Sequence, residues 1–208
     1  MDGLAFRPAA PEDFERAWSI VNDPPSRESI GMAGDARRAV ALGNALARYG
    51  IAIDLSCVTL AILDGQIVGV LEAYAADHPR KIPPMTMLRL LPHAIRILGP
   101  AQAMRLPAAL RARSRVDFSP VVDSYYIAEL DVDERFRNRG IGGALLREGE
   151  AAARAAGHSR MSLTTAITNP AQHLYERHGY RIIETKTDAA YARITGVPGR
   201  VLMVKELE

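Results

Sequence analysis

The chain has 208 residues, of which 48% are apolar and 24% charged, with 26 Lys and Arg against 24 Asp and Glu. That length supports a real core and that balance is ordinary for a globular protein. One cysteine, Cys57, excludes an intrachain disulfide, no window of about 18 residues is free of charge, and Met1 to Pro8 lacks the basic start and apolar run of a secretory signal, so no membrane span and a cytoplasmic location are expected.

Residues 3–8 read as a short strand, and Pro11-Glu12-Asp13 opens a helix to about Val21 with acids in its first turn. A loop carrying Pro24-Pro25 follows, and then an alanine-rich helix from Asp35 to Tyr49, stopped by Gly50. Cys57–Leu63 and Ile67–Tyr74 form a hairpin across Asp64-Gly65. From about His78 to Pro120 the chain is punctuated by Pro79, Pro83-Pro84, Pro92, Gly99-Pro100 and Pro107, which predicts several short helices. Between Asp77 and Asp117 lie eight of the 26 basic residues (Arg80, Lys81, Arg89, Arg96, Arg105, Arg111, Arg113 and Arg115) and no acid, so the rest of the chain carries 18 basic against 24 acidic residues.

The alternation resumes at Ser124. Tyr125 to Val132 is rich in aromatic and β-branched residues and reads as a buried strand. Arg137-Asn138-Arg139-Gly140-Ile141-Gly142-Gly143 then leads into a helix of Ala144-Leu145-Leu146 to Ala156, closed by Gly157. Strand, glycine turn and helix in that order gather backbone N–H groups at a positive helix end, an anion site suited to phosphate. A strand at Arg160–Ala166, a helix at Pro170–His178, and strands near Tyr180–Lys186 and Arg200–Glu206 complete the chain.

The run Arg137-x-x-Gly140-x-Gly142 after Leu130-x-Val132 resembles the acyl-CoA signature of the GCN5-related N-acetyltransferase (GNAT) family. Asn169-Pro170-Ala171-Gln172-His173-Leu174-Tyr175-Glu176-Arg177-His178-Gly179-Tyr180 resembles a second segment of that family, displaced by one residue at the alanine. The likeness covers about residues 124–186 closely and 3–76 in element order. It implies an α/β fold with a mixed, mostly antiparallel central sheet flanked by helices, one N-acetyltransferase domain over residues 1–208, and a basic helical insert at about 78–120.

Acetyl-CoA is the implied acyl donor. Backbone N–H groups of Arg137, Asn138, Arg139, Gly140, Ile141, Gly142 and Gly143 would wrap its pyrophosphate, the glycines at 140 and 142 removing Cβ atoms from the phosphate path. The two arginines add charge toward the 3′-phosphate. By period-two alternation Leu130 and Val132 share one strand face, and Glu129 and Asp131 the other. In the family this strand carries a bulge and splays from its neighbour, so the pantetheine arm pairs with free groups near Leu130 and Val132, one N–H of which faces the oxyanion. Asn169 corresponds to a residue that hydrogen-bonds the arm. Tyr175 stands where the family often keeps a general acid for the departing thiolate. Glu129 is the first choice of base, Asp131 the second, and Glu72 at the end of the hairpin the third.

The insert has Met85, Met87, Leu88, Leu91, Ile95 and Leu98 at helical spacings, with Arg89 and Arg96 on one face. It reads as an amphipathic elaboration whose arginines reach solvent or a partner subunit, or as a wall of the acceptor pocket favouring an acidic or partly apolar acceptor. Nucleic-acid or anionic-membrane contact is a third reading, and the absence of aromatic residues from His78 to Val116 counts against base stacking. The five histidines (His78, His93, His158, His173 and His178) show no metal-ligand spacing, so no metal is expected, and Cys57 reads as a small hydrophobe in a core strand.

Two other functions compete with the transferase. A non-catalytic acyl-CoA sensor would keep the glycine loop without needing Tyr175. A dinucleotide-binding fold fails because Leu145 stands where its third glycine belongs. The expectation is acetyl transfer to a primary amine, of a small molecule or a peptide, by direct attack in a ternary complex. A homodimer is compatible with the apolar insert.

Overall fold

The computed structural model describes residues 3–78 and 84–208, the side chains of Pro84 and Met87 excepted; Pro79, Arg80, Lys81, Pro83 and the Met87 side chain of the predicted insert lie outside the described residues. The chain runs β1 (Leu4–Pro8), α1 (Phe14–Asn22), α2 (Arg27–Ala33), α3 (Ala36–Arg48), β2 (Val58–Leu63), β3 (Gln66–Ala75), α4 (Pro84–Leu98), α5 (Pro100–Val116) and β4 (Tyr125–Val132). It continues through α6 (Ile141–Ala155), β5 (Arg160–Ala166), α7 (Gln172–Arg177), β6 (Arg181–Thr187), α8 (Ala189–Thr195) and β7 (Gly199–Glu206).

Seven strands form one sheet in the order β1-β2-β3-β4-β5-β7-β6. Every neighbouring pair is antiparallel except β4 and β5, so the mixed, mostly antiparallel sheet expected from the sequence is present. On one face, Leu145 and Leu146 of α6 pack with Leu71, Ile127, Met161, Leu163 and Met203. On the other, Ala17 and Ile20 of α1 meet Val58, Leu60 and Val70. Fully burying a side chain of this size contributes roughly 1.5–3 kcal/mol, so these two layers dominate the stability of the sheet.

Two short helices were not expected. Ser26 accepts from the Ser29 N–H and Gly34, at φ 96°, ends α2. Asp188 accepts from the Tyr191 N–H at 2.7 Å and Gly196, at φ 71°, ends α8. Both are a cap-to-glycine turn seven residues long, too short for apolar periodicity to reveal.

The insert is also corrected. Its described part is two long helices of 15 and 17 residues, with Pro92 inside α4 and Pro107 inside α5. Each proline leaves one carbonyl of the preceding turn without its N–H, and both prolines sit on exposed faces of their helices. Burial of Leu98 against Ala33 and Ala39, and of Ala112 and Val116 against Tyr191 and Val197, offsets the cost.

Candidate functional site

The β3–β4 register shifts between Glu72↔Glu129 and Ala73↔Ile127, leaving Ala128 as the extra residue of a bulge. The bulge resets the alternation. Ile127, Leu130 and Val132 all turn toward the α6 core, while Tyr126, Glu129 and Asp131 line the opposite cavity. The expected pairing of faces at 129–132 is therefore present, although Ile127 alone in this strand is buried and its neighbours are half-exposed.

Beyond the bulge the strands part. β5 pairs with β4 at Tyr125, Tyr126 and Ile127 and no further. The Asp133 N–H donates to the Val68 carbonyl at 2.9 Å, which puts the hydrogen-bonded positions of the β3–β4 ladder at residues 129, 131 and 133. The N–H and C=O of Leu130 and Val132 then point away from β3, into the gap where β5 has diverged. One of them is taken: Arg137 Nε donates to the Val132 carbonyl at 2.9 Å.

A cleft of about 720 Å³ opens over this gap, lined by Leu130, Val132, Asn138, Gly140 to Gly143, Asn169 and Leu174 among others. Gly140 stands at φ 76° and Asn138 at φ 60°, both left-handed, and the first helical bond of α6 runs from Ala144 N–H to the Gly140 carbonyl. The N–H groups of Ile141, Gly142 and Gly143 thus precede the helical ladder at its positive end. The other two glycines serve packing. A Cβ at Gly142 would come within 3.1 Å of Leu174, and one at Gly143 within 2.7 Å of His178 Nε2. The charge of the loop is partly committed too, since Arg137 also meets Glu134 at 3.2 Å and Arg139 lies over the Phe136 ring.

Asn169 joins this cleft to a second cavity of about 560 Å³, and Leu130 and Asp131 line both. Its amide donates to Thr165 Oγ1 at 2.7 Å and its Oδ1 accepts from the Ala171 N–H at 2.9 Å, so it braces the turn into α7. Tyr175 projects from α7 into the second cavity with 6% of its surface exposed. Burial, and then the charges of Asp131 and Glu129, push its phenol above the ordinary range, so it keeps its proton. Burial likewise pushes Asp131 up to about 7, against the opposing pull of Arg137. Glu72 stands directly across from Glu129 on β3 but lines neither cavity: it is fully buried, and its Oε1 accepts from the Asp54 N–H at 2.9 Å.

A model of the acetyltransferase (GNAT) family matches residues 42–180. The chain belongs to the GNAT family. It is accordingly an acetyltransferase, of a family whose reaction is acetyl-CoA-dependent acetyl transfer. No curated protein matches the sequence significantly. Among solved structures, a GCN5-related N-acetyltransferase from Kribbella flavida is 19% identical at TM-score 0.59, with 99% of each chain covered. A GNAT family acetyltransferase from Elizabethkingia anophelis with acetyl-CoA bound is 16% identical at TM-score 0.52, with 100% of each chain covered. An apo agmatine N-acetyltransferase mutant is 18% identical at TM-score 0.55, covering 99% of this chain and 100% of its own.

In this GNAT chain the second cavity draws walls from elements outside the family signature. Trp18 of α1, Glu28 of α2, Tyr74 of β3 and Arg200 of β7 line it, with Arg113, Asp117 and Phe118 from the end of α5 and the turn after it. Glu28 accepts from Arg200 Nη1 at 2.9 and 3.0 Å and from the Tyr191 hydroxyl. Arg113 Nε donates to Asp117 at 2.6 Å. Among the described residues, Arg113 is the one basic side chain of the insert on this lining, and it is already matched by an acid. The basic insert therefore gives no charge-based reason to expect an acidic acceptor. Sequence alone could not find Glu28, because the signal for α2 was hidden behind Pro24-Pro25.

A second cluster was also missed. Asp54, Cys57 and His78 bring one donor atom each within 4.8 Å of one another. Cys57 stands in a 3-10 turn ahead of β2 and is half-buried, not the core strand residue that its apolar neighbours predict. Histidine spacing does not reveal the cluster, because the partners of His78 lie 24 and 21 residues upstream.

Proposed function

We propose that this chain moves the acetyl group of acetyl-CoA to a primary amine by direct attack in a ternary complex. What carries the reading is the parting of β4 from β5, which lets two cavities meet at Leu130, Asp131 and Asn169. The cleft beside α6 suits the donor. Its unladdered N–H groups from Ile141 to Gly143 suit a pyrophosphate, and Leu130 and the Val132 N–H offer strand-like pairing to an amide-bearing arm. The cavity beyond takes the acceptor, a small-molecule or peptide amine.

Acetyl-CoA, when bound, supplies an electrophilic thioester carbonyl and a thiol leaving group. Asp131 receives a proton from the acceptor ammonium, a role that its rise to about 7 suits better than an ordinary carboxylate. Glu129, on the same face, holds the incoming ammonium. The N–H of Leu130 or Val132 donates to the thioester oxygen. Tyr175, held in its protonated form, gives its proton to the departing sulfur and recovers one from the nitrogen as the amide forms.

An acceptor panel with acetyl-CoA, read by thiol release, tests the proposal. Release that requires both an amine and Tyr175 supports it. Tight acetyl-CoA binding with no release across small amines and peptide N-termini overturns it in favour of a sensor. The same reading takes residues 1–208 as one catalytic domain in a cytoplasmic setting. It also assigns the exposed apolar face of α4 and α5 (Leu88, Leu91, Ile95 and Met104) to a homodimer, which sedimentation of Leu88→Glu against the parent checks.

A further inference from the structure

The cluster at Asp54, Cys57 and His78 lies outside both cavities. Asp54 caps the 3-10 turn Leu55–Cys57, Cys57 ends it, and His78 follows the end of β3, so the three come from two separate segments. His78 Nε2 is 3.2 Å from Asp54 Oδ2 and 3.7 Å from Cys57 Sγ. A histidine relaying a proton between a carboxylate and a thiol uses its two ring nitrogens, one for each neighbour. Here the same nitrogen faces both, so the three donors converge on one point.

We propose that Asp54, Cys57 and His78 bind one thiophilic divalent cation, with zinc the best fit. Zinc bonds of about 2.0–2.1 Å to N and O and about 2.3 Å to S, at tetrahedral angles, put neighbouring donors roughly 3.3 Å (N and O) and 3.6 Å (N and S) apart. The observed 3.2 and 3.7 Å match the two edges that meet at His78, and the third, between Asp54 and Cys57, lies within 4.8 Å. Thiolate with imidazole selects zinc over magnesium or calcium, which take oxygen donors.

The ligands are already held. Asp54 Oδ1 accepts from Ser56 N–H at 3.1 Å and from Ser56 Oγ at 2.7 Å, which fixes the carboxylate and turns Oδ2 toward the ring. The Asp54 N–H donates to buried Glu72, and Tyr74 lies against the His78 ring with centroids 5.2 Å apart. Such outer contacts orient ligands and raise affinity. The remaining tetrahedral corner goes to water. The ion would clip the turn before β2 to the point where the chain leaves β3, beside the Tyr74–Tyr126 pair on the acceptor cavity.

The test is a cobalt(II) titration of full-length, reduced, chelator-treated protein under anaerobic conditions. Expected are saturation at one equivalent, a thiolate-to-cobalt charge-transfer band, visible bands of tetrahedral intensity, and bleaching of all of them by one equivalent of zinc. Cys57→Ser removes the charge-transfer band, and His78→Gln weakens binding at least tenfold. Circular dichroism verifies the fold of each variant, and Cys57→Ala replaces Cys57→Ser if the serine misfolds. As a second measure, zinc raises the Tm of the parent but not of Cys57→Ser. No charge-transfer band in the parent overturns the proposal. So does equal affinity in His78→Gln, which would mean capture by the thiol alone.

Discussion

Asp131 and Tyr175 line one cavity, and the charge of Asp131 raises the proton affinity of the phenol. A carboxylate near a phenol raises the cost of ionising that phenol, and low local polarity raises the cost for both. With its carboxyl pushed to about 7, Asp131 is protonated below neutrality and ionised above it. A base must be ionised, so kcat/KM is expected to climb through a midpoint near pH 7. Asp131→Asn should flatten that limb and lower the plateau by roughly 10²-fold, the usual worth of one acid–base group. Stability runs the opposite way. Because the folded-state value lies above the unfolded one, the contribution is full below about pH 4, near the unfolded carboxylate value, and is lost as pH rises through about 7. Urea unfolding at pH 8 should therefore find Asp131→Asn more stable than the parent. Tyr175→Phe keeps the ring in place and removes the donor. We expect a kcat about 10²-fold lower with acetyl-CoA affinity by calorimetry unchanged; full turnover would remove Tyr175 from the mechanism.

At the scale of elements, the glycine run before α6 combines two requirements. Gly140 supplies a left-handed turn, whereas Gly142 and Gly143 admit α7 against the first turn of α6. Gly143→Ala should cost about 1–3 kcal/mol by denaturant titration, since its Cβ would come within 2.7 Å of the His178 ring. Replacing His178 by Ala in the same chain should recover part of that loss; simple additivity of the two changes would show that they do not touch. The distinction between these glycines was invisible in the sequence, where spacing reports that a loop is tight but not against what. Strands fared better: Arg160–Ala166 was read to the residue, because β-branched residues and flanking turn signals coincide there. The insert fared worse. Pro92 and Pro107 argued for short helices, and nothing local says that a proline will face water on a helix held from its other side. In the candidate site, Leu130 to Val132, Gly140 and Tyr175 were legible as a motif. Glu28, Trp18, Arg113 and Arg200 were not, because each reaches the second cavity through tertiary packing.

At the scale of the molecule, the sheet has two halves, β1 to β4 and β5 to β7. Three residue pairs, Tyr125↔Met161 to Ile127↔Leu163, are all that zips them edge to edge. A donor arm lying along Leu130 and Val132 would extend that zip from within, standing in for a length of main chain that the polypeptide itself lacks. The expectation is that the empty protein, its halves also joined through the core under α6, unfolds less cooperatively than the loaded one. Scanning calorimetry makes the difference measurable. Without ligand, the van't Hoff enthalpy should fall short of the calorimetric one; with coenzyme A present, the two should converge. Equal ratios in both states would mean that α6, crossing from one half to the other, already couples them. The substrate of this enzyme is, on that view, also its last structural element, and heat capacity is where the enzyme would reveal whether it is carrying one.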